Sequence, residues 1–482
     1  MLQSHKKQLI SGIFWFTIGQ FGYLTVGLIS NIILARLLTV YEFGQMGIVL
    51  FFILVARVLT DAGLGGALVR NNNATQKDYS TIFIFNLIVS FALMVTIMLS
   101  SKAIAYYYGD VELKNILIAS SLVILINAFQ LVQSARLVKN MEFRKKALYD
   151  FIAILIASIV AIIFAIKGFG VWSIVILQLL LSIIQSAIYW TFEGGVGKWT
   201  FNMDSFKAHY KFGVNTTIAS VLNTVFDNIY QLILGKYFAI SQTGLFFQAK
   251  KLQAVPVGVI EKVVQSVVFS SLSKIQENEE EFKKYYQKIV AMFTIGSGLL
   301  CLLIFLYAEN LISLLYGSKW LGATFFMKVL IISSFFYLQE NFNRVIFKVY
   351  DRTEVILRLE FIKKGIQILS IIIGLWYLSL EILLYGFLIT SIISYYINYI
   401  KSRMVFKSLG WYEFKVMCIV IGISIILCGT ILYLNFKLGN SNIISLLYAP
   451  LIAFIYLLGL WAIGILNPVN NYKELKKLLK NE

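Results

Sequence analysis

The sequence predicts an all-α, polytopic membrane protein with about fourteen transmembrane helices. It is 59% hydrophobic and only 14% charged, where a soluble domain carries about a quarter charged residues. Its polar side chains are too few to cover a surface in water. Apolar runs of about twenty residues, the length that crosses one bilayer core, recur from end to end. Lysine and arginine collect in every second connection between those runs, as they do on the cytoplasmic side of membrane proteins.

The runs lie near 10–34, 43–60, 79–100, 115–135, 148–166, 171–192, 212–235, 241–269, 287–307, 325–343, 358–378, 381–400, 414–434 and 442–466. The first follows MLQSHKKQLISG with no small-residue cleavage site, so it reads as a retained span. The connections then fix orientation. Lys6 and Lys7 precede span 1, Arg70 and Lys77 separate spans 2 and 3, and Arg136, Lys139, Arg144, Lys145 and Lys146 separate spans 4 and 5. Lys473, Lys476, Lys477 and Lys480 follow span 14. The intervening connections are poor in both residues, and the one between spans 11 and 12 has neither. Both termini are therefore expected in the cytoplasm, and a missed or invented span would invert the alternation downstream. The net charge of +18 reads as cytoplasmic loops facing anionic lipid rather than as a nucleic-acid surface. Three prolines leave little room for disordered linkers.

Several function classes are excluded. No G-x-x-x-x-G-K-[ST] occurs, and Gly195–Val196–Gly197–Lys198 lacks the spacing that cradles phosphates. There is no H-E-x-x-H, no G-x-S-x-G and no zinc-spaced cluster. Cys301, Cys418 and Cys428 all fall within apolar runs, and His5 and His209 are expected near the cytoplasmic surface. No connection is long enough for a nucleotide-sugar domain. The chain is expected to be no enzyme and to hold no metal or cofactor.

An internal repeat divides the spans. Residues 33–46, ILARLLTVYEFGQM, align without a gap to 233–246, ILGKYFAISQTGLF, pairing Ile33 with Ile233, Leu34 with Leu234, Arg36 with Lys236 and Gly44 with Gly244. Six spans separate the copies, so both halves have the same orientation. Parallel halves about an axis normal to the membrane are a transporter plan, with substrate between them. The expected domains are 1–200 (spans 1–6), 201–407 (spans 7–12) and 408–482 (spans 13–14 and a cytoplasmic tail).

The run LARLLTVYEFGQMGIV followed by DAGLGGALVRN resembles Wzx-type polysaccharide-repeat-unit flippases, and more closely the branch with teichuronic- and colanic-acid exporters. That family shows LAR-x-L-x-P-x-x-F/Y-G and then D-x-G-x-x-x-A-L; here Val40 stands at the proline position. The resemblance implies a MATE/MurJ-like fold in the bacterial cytoplasmic (inner) membrane. It implies movement of an undecaprenyl-pyrophosphate-linked oligosaccharide from inner to outer leaflet by alternating access, coupled in some members to a H⁺ or Na⁺ gradient. Polymerase and other polysaccharide-assembly proteins are the implied partners. MurJ-type lipid II flippases carry charges in span 1, whereas this sequence has none between Lys7 and Arg36. A MATE-like cation-coupled drug exporter is the alternative, but its cavity should be acidic.

Charges inside spans are the candidate site, because each costs roughly 2.5–3.5 kcal/mol to insert. In span 8, Lys250 and Lys251 lie about 15 Å along the axis from the outer end, close to the midplane. Lys262 and Glu261 follow three turns later on the same side. These lysines suit a pyrophosphate. The competing reading is a wet break at Pro256 and Gly258. In span 7, Ser220, Asn223, Asp227 and Gln231 form one polar stripe. Asp227 reads as a proton or sodium site, a counter-charge to a span 8 lysine, or part of a helix–helix seam. Arg57 and Asp61 are spaced for an ion pair at the cytoplasmic end of span 2. Asn127 and Gln130 in span 4 suit sugar hydroxyls or packing. Arg36 and Lys236 stand at the outer ends of spans 1 and 7, as an outer gate or as snorkelling cations. Glu340 with Arg344, and Glu360 with Lys363 and Lys364, read as pairs at the membrane interface.

Overall fold

The computed structural model describes residues 2–61, 63–71, 73–438 and 448–465, with no strand among them. The side chains of His5 and His209, the first residues of span 14 and the cytoplasmic tail lie outside the described set. Seventeen α-helices follow in order: α1 Leu2–Leu37, α2 Val40–Asp61, α3 Leu64–Arg70, α4 Gln76–Tyr108, α5 Glu112–Lys139, α6 Phe143–Ile166, α7 Trp172–Glu193, α8 Met203–Tyr237, α9 Ile240–Val263, α10 Phe269–Ser273, α11 Glu279–Leu306, α12 Ala308–Tyr316, α13 Ala323–Val349, α14 Thr353–Trp376, α15 Leu380–Val405, α16 Tyr412–Leu438 and α17 Ala449–Ala462. Each of the first thirteen predicted spans overlies one long helical segment, α9 and α10 together forming span 8 through a π-helical turn at Val264–Val268, and span 14 overlies α17 where it is described. Among the described residues, ten helices are long and apolar enough to cross a membrane. The other four are α8, α13 and α14, which carry interior charges, and α17, described over 14 residues. The chain is a multi-pass α-helical membrane protein.

Local chemistry sets the helix ends. Thr39 and Glu42 form a capping box, with Thr39 N donating to Glu42 Oε2 at 2.6 Å and Glu42 N to Thr39 Oγ1 at 3.3 Å. Val40 is thus the first residue of α2, the position where proline costs no hydrogen bond. That accounts for both the family proline and its replaceability. The DAGLGG motif is a break: α2 ends at Asp61, Gly63 takes φ 62°, and Asp61 Oδ1 accepts from Gly65 N at 3.3 Å before α3 continues. Asn202, Asn278 and Ser379 cap α8, α11 and α15 with side-chain oxygens.

The helices group into two compact units, Met1–Phe247 and Gln248–Glu482. In the first, α1 packs on α6, and Gly19 lies so close to Ala147 that a Cβ would sit 2.1 Å from the alanine's own. α5 packs on α4 and α7. The segment between α7 and α8 is strapped to α4: Ser80 Oγ donates to Lys198 O at 2.8 Å and accepts from Thr200 N at 2.9 Å, and Val196 is fully buried. In the second unit α13 is central, packed by α11 and α15, with α16 on α11 and α17 on α16. Packing keeps α8 with the first unit, whereas the expected boundary near residue 200 rests on the repeat alone.

The repeat has a direct structural counterpart within the first unit. A Cβ on Gly44 would lie 1.9 Å from Ile240 O, and one on Gly244 would lie 2.0 Å from Val40 O. Val40 and Ile240, like Gly44 and Gly244, are equivalent positions of the two copies. The first turns of α2 and α9 therefore cross backbone to backbone, by the reciprocal contact that a twofold relation between repeats produces.

Candidate functional site

The first unit carries an open cavity of about 610 Å³, walled by α1, α2, α3, α5, α6 and α7. That is within the range of ligand pockets. Four of the predicted residues come together here: Arg57, Asp61, Asn127 and Gln130. Lys146, Asp150, Gln185, Tyr189 and Tyr23 join them.

Most of its polar groups are already engaged. Asp150 accepts from Lys146 Nζ at 2.7 Å, Gln185 Nε2 at 3.0 Å and Tyr189 OH at 3.0 Å. Three donors offset the cost of removing that carboxylate from water. Gln130 Nε2 donates to Asn127 Oδ1 at 2.5 Å, which uses one donor and one acceptor of the pair and leaves the rest of both amides for other partners. Asp61 is held by the backbone of its own helix break rather than by Arg57. Arg57 is exposed to the cavity and makes no hydrogen bond or ion pair among the described residues. The cavity thus offers amides, hydroxyls and a guanidinium with its donors open among the described residues and the Asp61 charge nearby, a set that suits sugar hydroxyls and an anionic group.

The other predicted residues lie elsewhere. Asn223 and Asp227 are exposed on α8. Lys250 is half-buried, and Lys251 and Lys262 are exposed, on α9. The helix runs unbroken through Pro256, and its departure from α geometry comes at the later π-helical turn, so no break occurs at Gly258. Glu261 accepts from Tyr337 OH at 2.7 Å. Arg36 is exposed at the end of α1. Lys236 donates to Tyr107 O at the end of α4 and lies 4.1 Å from that tyrosine's ring centre, so it is tied down within its own unit.

The interfacial reading of Glu340 is corrected. Glu340 is 1% exposed. It is ion-paired to Arg344 and to Lys363 at 3.2 Å, and it accepts from Ser394 Oγ at 2.9 Å. Arg344 also pairs with Glu360. Two cations and two carboxylates cancel inside α13, α14 and α15, which is how such charges stay buried. A second buried cluster was not expected from the sequence. Glu413, 2% exposed, is paired with Arg403 and accepts from Tyr286 OH at 3.0 Å and Asn343 Nδ2 at 2.9 Å.

The family described as polysaccharide biosynthesis protein matches residues 33–325. The succinoglycan biosynthesis transport protein ExoT of Rhizobium meliloti is 21% identical over 316 residues, which are 66% of this chain and 64% of that protein. The lipopolysaccharide biosynthesis protein WzxC of Escherichia coli is 22% identical over 323 residues, 66% of this chain and 65% of its own length. The chain thus matches slightly less than two thirds of either relative. The teichuronic acid biosynthesis protein TuaB of Bacillus subtilis is 22% identical over 335 residues, 69% of each chain. Among solved structures, the lipid II flippase MurJ in an inward closed conformation superposes with a TM-score of 0.72 at 17% identity, covering 92% of this chain and 97% of MurJ. An inward-facing multidrug-resistance MATE transporter of the MOP superfamily gives 0.59 at 18%, covering 80% and 95%. At these identities the likeness establishes the fold, which is the MATE/MurJ-like all-α architecture expected from the sequence. The family match covers more than half of the sequence, and the chain belongs to the polysaccharide biosynthesis protein family.

Proposed function

We propose that this protein is a flippase. It moves an undecaprenyl-pyrophosphate-linked oligosaccharide from the inner to the outer leaflet of the bacterial cytoplasmic membrane by alternating access. It catalyses no bond change. The observation that carries the reading is the cavity of the first unit, whose amides, hydroxyls and exposed Arg57 suit a glycan bearing anionic groups. Its walls include the C-terminal ends of α2, α5 and α7 and the N-terminal end of α6, the ends that the lysine and arginine distribution assigns to the cytoplasm. Family membership and relatives named for polysaccharide transport and biosynthesis support the same reading.

In this account the glycan enters the cavity from the cytoplasmic side, with both termini in that compartment. Lys250 and Lys251 engage the pyrophosphate, and the prenyl chain stays in lipid. Asp227 is the proposed coupling site for a H⁺ or Na⁺ gradient. Surface polysaccharide in a deletion strain tests the reading. The wild-type gene restores it. Arg57→Ala and Lys250→Ala/Lys251→Ala do not, although both variants accumulate in the membrane at normal levels. Full export by the double lysine variant would remove the pyrophosphate assignment, and full export by Arg57→Ala would remove the cavity.

A further inference from the structure

The second unit carries a groove of about 720 Å³ between α11, α16 and α17. One stripe of α11 forms its floor. The stripe begins with Lys283, Lys284 and Lys288, the first two exposed and the third half-buried. It continues as Ala291, Met292, Ile295 and Gly296, facing Leu457 of α17. Spacings of three, four and seven residues keep these positions on one side of the helix. A Cβ on Gly296 would meet nothing within 4 Å, so the apolar end is open space rather than packed core. Among the described residues that line the groove, Glu280 is the one carboxylate against three lysines, and Glu279 and Glu281 flank it in the first turn of α11.

The dimensions match one lipid of one leaflet. Lys284 and Ile295 are about 16 Å apart along the axis at 1.5 Å per residue, close to half of a hydrocarbon core about 30 Å thick. The lysine end is also the end that the charge distribution places in the cytoplasm, and basic pockets between spanning helices on that side hold anionic headgroups. None of the three helices walls the cavity of the first unit. We propose that this groove binds an anionic phospholipid of the cytoplasmic leaflet. Its phosphate rests on Lys283, Lys284 and Lys288, and one acyl chain lies along Ala291–Gly296 against Leu457.

Purified full-length protein in neutral detergent is titrated with phosphatidylglycerol or phosphatidylcholine, and the thermal unfolding midpoint is followed. Phosphatidylglycerol raises the midpoint and phosphatidylcholine does not. Lys283→Gln/Lys284→Gln/Lys288→Gln loses about 100-fold in apparent phosphatidylglycerol affinity, from about 1 kcal/mol per lysine. Gly296→Leu, which fills the apolar end with the lysines intact, also abolishes the shift. Equal responses to the two lipids, or an undiminished phosphatidylglycerol shift in the triple variant, would overturn the proposal. So would a midpoint raised by undecaprenyl phosphate alone, since the occupant would then be the carrier lipid. The readout is binding, so its outcome is separate from whether the protein flips a glycan.

Discussion

The reciprocal glycine crossing gives the sharpest structural test. A Cβ on Gly44 would stand 1.9 Å from Ile240 O, whereas real Cβ contacts under 3.0 Å are essentially never seen. The first turns of α2 and α9 must then separate by about 1 Å, an overpacking that costs about 1–3 kcal/mol in a close-packed site. Gly244→Ala meets Val40 O at 2.0 Å and should cost the same. Because one separation relieves both clashes, Gly44→Ala/Gly244→Ala should destabilise by clearly less than the sum of the single changes. Gly365→Ala in α14 is the control. Nothing lies within 4 Å of that position, and losing a helical glycine there should be neutral or stabilise by about 0.5–1 kcal/mol. Thermal unfolding of the purified proteins under one detergent condition measures all four. Indistinguishable midpoints for Gly44→Ala and Gly365→Ala would refute the backbone crossing. Strict additivity in the double variant would refute its reciprocity.

Other outcomes follow from buried charge and backbone geometry. Glu413→Ala leaves Arg403 without its carboxylate in a buried site and should cost about 3–5 kcal/mol, read as a lowered unfolding midpoint and faster proteolysis near residues 406–412. Gly63→Ala forces a side chain onto φ 62° and should cost about 1–2 kcal/mol, checked by the same melts.

The number and order of the spanning segments were legible because hydropathy and charge are local, and each predicted span overlies a helix among the described residues. The hydropathy signal fades in α8, α13 and α14, where Asp227, Glu340 and Glu360 interrupt the apolar run, and there the alternation of lysine and arginine carried the reading. Depth was the weak point. Glu340 and Arg344 sit four residues apart near a span end, which looks the same whether the pair reaches the headgroups or is closed over by α14 and α15. Only the approach of Lys363 and Ser394 from those helices decides it. The cavity was half legible. Arg57, Asp61, Asn127 and Gln130 stood out as polar groups in apolar runs. Asp150 did not, because Gln185 and Tyr189 reach it from α7. The Lys146–Asp150 spacing of four was the one local signal available. The glycine crossing was present in the sequence as the pairing of Gly44 with Gly244, although nothing in one dimension says that the paired residues touch.

Reconstitution tests the central claim most directly. Proteoliposomes carrying the purified protein and a fluorescent undecaprenyl-pyrophosphate oligosaccharide in one leaflet are assayed for exposure of the glycan to an enzyme or lectin on the other side. The account predicts protein-dependent translocation that falls to the protein-free rate in Arg57→Ala and in Lys250→Ala/Lys251→Ala. Wild-type protein that leaves the glycan in its original leaflet, with its fold and an imposed ion gradient both intact, would contradict it.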